Sequence, residues 1–378
     1  MKKNESSLWK TELLSFGLTF DKASLEGLGT KFKEEHHGYD CSNWGVSKEI
    51  LLPSELMLPG NIVVCVHNIP SSPYQVRMID GERFLFKNEE NVSKISFLPR
   101  PKVWGKKTSD GTLVKKIINF YGYDCINLNI YSGCEFWDIG APCKFCSVSP
   151  TQKTFKEACV EKNITQVREA FKLAFKMEDE INFVLTTGGS RLDGNQEVIN
   201  QINVLNVIKE IVPWKKIRGN TALMPPKDLS LIEKLYGTGI EHPSFNLEVW
   251  GKKNFQNICP GKEKYKGYDH IMDSYKEAVR IFGEGKMWCN FVAGINTIDE
   301  LKEGFTKMAK MGVIPGANVF HADVGAVLGT KLKSPSSEYI IDLYQHAADL
   351  YHSYGYKPFF SESVLRNSLA NEAYKGWI

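Results

Sequence analysis

The segment NIYSGCEFWDIGAPCKFCSVSP, residues 129–150, holds three of the chain's nine cysteines, Cys134, Cys143 and Cys146, in the spacing C-x8-C-x2-C. A C-x2-C pair lets two thiolates converge on one metal centre, and a loop containing Gly140 and Pro142 can carry a third thiol round to it. Structural zinc usually closes with four ligands, and no second C-x2-C pair adjoins this one. Three thiols instead suit a [4Fe-4S] cluster with one open iron, which is a catalytic feature. A three-cysteine structural zinc site is the alternative. The other six cysteines, Cys41, Cys65, Cys125, Cys159, Cys259 and Cys289, are scattered singly and read as buried, inert thiols.

Further polar residues lie where a core has little use for them. In SFNLEVW, Asn246 and Glu248 are two apart and fall on one face of a strand, with Phe245 and Leu247 on the other. A strand buried on both sides carries such residues when one face lines a polar cavity. Asn290 in MWCNFVAGI, and His321 with Asp323 in NVFHADV, are candidates for the same cavity, the last two as substrate contacts. TTGGS, Thr186 to Ser190, ends another strand, and its glycines let the backbone approach a ligand closely.

These residues need a frame that brings strand ends together. From residue 119 to 335, strand-like runs alternate with amphipathic helical runs, the pattern of a parallel sheet wrapped by helices. Six such units predict an α/β fold, a partial (β/α)6 TIM-type barrel whose chemistry sits at the carboxyl ends of the strands. Residues 1–118 predict a small β-rich N-terminal region after a poorly defined leader, with a hairpin at Asp80-Gly81. Residues 336–378 predict a C-terminal helical extension whose tail closes over the barrel mouth. With 47 basic and 44 acidic residues spread evenly, and no apolar run of about 20 residues, neither nucleic acid nor membrane is an expected partner. The opening residues lack a signal-peptide pattern, and the unpaired cysteine usage suits a reducing compartment, so a cytoplasmic location is expected.

The cysteine segment resembles the cluster loop of the radical S-adenosylmethionine (radical SAM) superfamily, in which three cysteines follow the first barrel strand and a C-x-aromatic-C ending is common, here CKFC. The usual family spacing is C-x3-C-x2-C, so the eight-residue gap EFWDIGAP marks an enlarged loop. The resemblance is nearest to the biotin synthase-like branch and its hydrogenase-cofactor maturation enzymes. It implies a [4Fe-4S] cluster on Cys134, Cys143 and Cys146, S-adenosylmethionine (SAM) as cofactor, and Phe145 near the adenine. It also implies that Thr187, Gly188, Gly189 and Ser190 bind the SAM amino group, with Ser190 where an acidic residue is frequent. Asn246, Glu248, Lys262 and Asn290 complete the implied SAM contacts, and GTKL near residue 330 looks like the GTPL that follows the last barrel strand in that branch. An electron donor such as flavodoxin or ferredoxin and a small-molecule substrate are implied as partners. The activity implied is reductive cleavage of SAM to a 5′-deoxyadenosyl radical that abstracts hydrogen from the substrate. The alternative function is a barrel protein with a structural three-cysteine metal site that binds a small molecule or partner without radical chemistry. Replacing Cys143 by Ala is expected to abolish iron binding after reconstitution, whereas Cys259→Ala should keep the iron content of the wild type; iron analysis of the two variants checks both.

Overall fold

A computed structural model describes residues 4–34, 52–150, 161–323, 325–329, 331–358 and 361–378. Cys41, Cys159 and Thr330 of the GTKL segment lie outside the described residues. The strands form two sheets. In the first, β1 (Thr19–Phe20), β4 (Tyr74–Ile79), β5 (Glu82–Lys87), β6 (Glu90–Phe97), β2 (Glu55–Leu58) and β3 (Ile62–Cys65) lie side by side in that order. Asp80 and Gly81 both have positive φ between the paired residues Ile79 and Glu82, which is the tight hairpin expected there.

The second sheet runs in chain order: β7 (Asn119–Tyr121), β8 (Cys125–Asn129), β9 (Phe183–Thr187), β10 (Ile217–Leu223), β11 (Ile240–Phe245), β12 (Met287–Ala293) and β13 (Val313–Val319). From β8 to β13 every neighbouring pair is parallel, and helices cross between successive strands. Strands taken in sequence, each joined by a crossover helix, curl the sheet one way into a half-barrel, in agreement with the sequence. One strand exceeds the six expected: β7 pairs antiparallel with β8 and extends the starting edge. Two strands end earlier than their apolar runs suggest. β11 stops at Phe245 and β13 at Val319, so Asn246, Glu248, His321 and Asp323 sit in the turns beyond, not on strands.

The leader contains a helix, α1 (Glu5–Phe16), that has no apolar periodicity because it buries Ser6, Ser7, Lys10 and Thr11 along with Leu13 and Leu14. Lys10 is tolerated inside because its Nζ donates to Glu372 at 2.8 Å and to the Leu365 carbonyl at 2.8 Å. The C-terminal tail lies along the last strand and β3. The Asn367 carbonyl accepts from Val319 N–H and its side-chain Nδ2 donates to the Val319 carbonyl, each at 3.0 Å, and the Arg366 carbonyl accepts from Cys65 N–H at 3.0 Å. The tail thereby joins the last barrel strand to β3 and blunts an otherwise open edge.

Glu55 is the knot between these parts. Its carboxylate accepts from Lys33 Nζ at 2.6 Å, from Arg366 Nη1 at 2.6 Å and from Gly122 N–H at 3.0 Å, and all three charged side chains are buried. Lys33 also donates to the Phe120 carbonyl on β7. Removing the carboxylate strands two buried cations, so Glu55→Ala is expected to cost about 3–5 kcal/mol, read as a lower urea midpoint at unchanged slope.

Candidate active site

The three cysteines follow β8 at its carboxyl end. Cys134 caps a one-turn helix (Glu135–Asp138), and Cys143 and Cys146 lie in the following loop, all half-buried. Two backbone supports hold this loop. On one side Gly189 N–H donates to the Tyr131 carbonyl at 2.9 Å and Glu135 N–H to the Ser190 carbonyl at 2.9 Å. A Cβ at Gly189 would stand 1.6 Å from the Gly133 carbonyl oxygen, and one at Gly188 3.1 Å from Tyr131 N. The glycines are thus needed for the turn after β9 to touch the start of the cysteine loop. On the other side Lys144 N–H donates to the Ile258 carbonyl at 2.9 Å and Gly261 N–H to the Ala141 carbonyl at 3.1 Å.

The thiols share one electrostatic neighbourhood. Burial pushes Cys134 up, and the neighbouring Cys143 adds to it. Burial likewise pushes Cys146 up to about 12, with contributions from Cys143 and Cys134. For Cys143 the first cause of its raised value is a hydrogen bond with Cys259, followed by burial. Among the described residues no three His, Cys, Asp or Glu side chains are gathered as closely as a single metal ion requires. A cubane makes a different demand, since its three thiolates bind three separate irons and stand further apart than ligands on one ion.

Lys262 faces the thiols from the next support. Its Nζ donates to Glu248 Oε1 at 2.9 Å and to the Asn246 carbonyl at 3.0 Å, with the side chains of both Lys262 and Glu248 almost wholly buried. Burial works against the ammonium, but Glu248, Cys143 and Cys259 outweigh it and hold Lys262 charged. Glu248 occupies the left-handed region at φ 68°, a conformation that costs a non-glycine residue about 1–3 kcal/mol. It is held there by β12: its N–H donates to the Asn290 carbonyl at 3.0 Å and its carbonyl accepts from Val292 N–H at 2.8 Å. The expected pairing of Asn246 with Glu248 by strand alternation is therefore replaced by a strained turn in which the Glu248 carboxylate and the Asn246 backbone carbonyl accept from Lys262. Asn290 is the one half-buried position on an otherwise buried β12, and Phe145, half-buried, packs against the core.

Several buried polar atoms here have no hydrogen-bond partner among the described residues: Asn127 Oδ1 and Asn129 Oδ1 on β8, Asn246 Oδ1, and Lys266 Nζ. Asn129 Oδ1 would lie 3.6 Å from a Cβ on Gly188. Lys266 is 6% exposed, its pKa lowered by burial and supported by Glu197, whose own is raised by burial. Asn127, Asn129 and Lys266 were not singled out by the sequence, although Asn127 and Asn129 are two apart on a buried strand, the same signal that marked Asn246 and Glu248. Three acceptor oxygens and a spare ammonium are complementary to the ammonium and carboxylate of an amino acid. Thr187 ends β9, its carbonyl accepting from Ile130 N–H at 2.7 Å, and Ser190 is buried at the cysteine loop.

His321 and Asp323 do meet: Nδ1 of the imidazole lies 2.7 Å from Asp323 Oδ1. Asp323 Oδ2 accepts from the Ser147 hydroxyl at 2.9 Å, which ties this pair to the residue after Cys146. The ring of His67, from the loop after β3, lies 4.2 Å from that of His321, centroid to centroid. His67 carries no local sequence signal, because only the docking of the first sheet brings it here.

The chain is similar to several enzymes, two of which are described as radical SAM enzymes. Among solved structures these include coproporphyrinogen III oxidase from Escherichia coli, a radical SAM enzyme (13% identity, TM-score 0.40, 57% of this chain and 50% of that one). A radical SAM methyltransferase from Sphaerobacter thermophilus is another (13% identity, TM-score 0.44, 76% of each chain). The FeFe-hydrogenase maturase HydG from Carboxydothermus hydrogenoformans also matches (15% identity, TM-score 0.43, 63% of this chain and 53% of that one). Among curated proteins the chain is 25% identical over 263 residues to bacteriochlorophyllide c C-7(1)-hydroxylase from Chlorobaculum limnaeum, spanning 66% of this chain and 65% of the relative's length. No protein-family model matches the chain. No helix among the described residues is long and apolar enough to cross a membrane.

Because the Gly189 position is filled by the Gly133 carbonyl, Gly189→Ala must push the cysteine loop away from β9. It is expected to cut iron uptake on reconstitution severalfold while circular dichroism keeps the helix content; unchanged iron would mean that the loop is not held there.

Proposed function

We propose that the chain is a radical SAM enzyme acting on a small-molecule substrate, with Cys134, Cys143 and Cys146 as ligands of a [4Fe-4S] cluster. The observation that supports this reading is that the loop carrying the three thiols adjoins buried amide oxygens and one buried lysine, Lys266, without hydrogen-bond partners among the described residues, groups that a zwitterion would satisfy. When bound, the reduced cluster supplies the electron that splits SAM into methionine and a 5′-deoxyadenosyl radical able to take hydrogen from carbon.

The chain's own residues have separable tasks. Asn129 and the turn Thr187-Gly188-Gly189-Ser190 offer oxygens to the SAM ammonium. Lys266 is the better partner for its carboxylate than Lys262, because Lys262 is already committed to Glu248 and Asn246. Glu248 and Asn290 fix the turn that closes the far wall, Phe145 offers an aromatic face toward the adenine, and His321 with Asp323 border the substrate side. Buried apolar walls exclude water, so that the radical meets the substrate before solvent. Flavodoxin or ferredoxin is the proposed electron donor and the cytoplasm the proposed location. The relative's name makes a bacteriochlorophyllide the first substrate to test, with oxidation at carbon as the reaction to look for.

The test is anaerobic reconstitution, reduction with SAM present, and chromatography for 5′-deoxyadenosine. That nucleoside should form with the wild type and vanish when all three cysteines are replaced; a colourless protein holding one zinc would end the proposal. Lys266→Met should weaken SAM binding about 10–100-fold, the loss of one charge-assisted contact of about 1.5–3 kcal/mol, measured by equilibrium dialysis on the reconstituted enzyme.

A further inference from the structure

The two residues between Cys143 and Cys146 keep those thiols close, but eight residues separate Cys134 from Cys143, and a gap of that length fixes no distance. Something outside the loop must place the first thiol. The residue beside it is anchored at every polar atom. Glu135 opens the helical turn that Cys134 caps, and its N–H donates to the Ser190 carbonyl. Its carboxylate is shared between the next two residues: Oε1 accepts from Arg191 Nη1 at 2.9 Å and Oε2 from Leu192 N–H at 2.7 Å. Arg191 is fixed in turn. Its Nη2 donates to Glu161 Oε2 at 2.8 Å, its guanidinium lies 4.0 Å from the centre of the Tyr131 ring, and its N–H donates to the buried Glu197 at 3.0 Å.

The following residue faces the other support. Successive side chains on a helical turn diverge by about 100°, and Phe136 is wholly buried against the short helix Pro260–Tyr265. A Cβ on Gly261 would stand 2.7 Å from the Phe136 ring, whose centre is 6.1 Å from that of Tyr265. The enlarged loop is thus wedged between two side-chain anchors at its beginning. We infer that Glu135 and Arg191 are positioning residues for Cys134: their ion pair replaces the restraint that a short cysteine spacing would give, and locks the first thiol to the turn Thr187-Gly188-Gly189-Ser190. The inference rests on the cluster reading, since it assigns what holds one of the three ligands in place. The side chains of Arg191 and Glu135 are 23% and 27% exposed, and an ion pair so open to solvent adds little to global stability. Its loss is therefore felt at Cys134 and not in the fold.

The experiment uses the full chain, reconstituted anaerobically with iron and sulfide, treated with iodoacetamide for graded times, digested and mapped by mass spectrometry. In the wild type, reconstitution should shield Cys134, Cys143 and Cys146 from alkylation. In Glu135→Ala and in Arg191→Met, Cys134 should be alkylated about tenfold faster, as loss of a charge-assisted hydrogen bond allows, while Cys143 and Cys146 stay shielded and the urea midpoint is unchanged. Glu135→Gln, which keeps one acceptor oxygen, should fall between. Cys134 as well shielded in Glu135→Ala and Arg191→Met as in the wild type would overturn the inference, and so would equal exposure of all three cysteines with a lowered urea midpoint. A wild type whose three cysteines gain no shielding on reconstitution would sink the cluster reading and the inference with it.

Discussion

A carboxylate sealed away from water is the constraint on which the molecule's assembly turns. Glu55 is tolerable inside only because Lys33 and Arg366 neutralise it and Gly122 N–H fills its remaining acceptor capacity. Its partners come from the leader, the starting edge of the half-barrel and the C-terminal tail. Each of these must be in place for the others to be satisfied, so the first sheet, the barrel and the tail are fixed against one another by electrostatic necessity as well as apolar burial. That fixed docking delivers His67 to His321 at the substrate side of the barrel.

At the barrel's carboxyl end the same logic works on a smaller scale. The cysteine loop is too long for its own turn chemistry to shape it, and two foreign backbones do so: the glycine turn after β9 and the segment around Cys259. Lys262 answers the charge that deprotonated sulfur would bring, and Glu248 answers Lys262. The strained backbone of Glu248 is the cost of pointing that carboxylate away from its strand and toward the lysine.

Features that follow from local chemistry were legible in the sequence. The alternation of strands and helices gave the half-barrel, the Asp80-Gly81 pair gave its hairpin, and the cysteine spacing with its aromatic located the loop. Readings that depended on long-range partners were not legible. The helix Glu5–Phe16 escaped because its buried face is polar, paired to residues more than three hundred positions away. Lys262 and Lys266 look alike in PGKEKYKG, and only the fold shows that the first is spent on Glu248 while the second has no hydrogen-bond partner among the described residues. Strand ends were misplaced at Phe245 and Val319 because apolar residues run on into the functional turns, where packing and not pairing uses them.

The tail's position between β13 and β3 has a consequence for how the chain is made. Synthesis runs from the amino end, and Cys65 N–H and Glu55 receive their partner Arg366 only after some three hundred further residues have emerged. Until then Glu55 lacks one of its two cations. The first sheet is therefore completed only by residues that emerge long after its own strands. The barrel and its cysteine loop can form while the wall that presents His67 is still incomplete, so the loop takes its shape before His67 is held against His321.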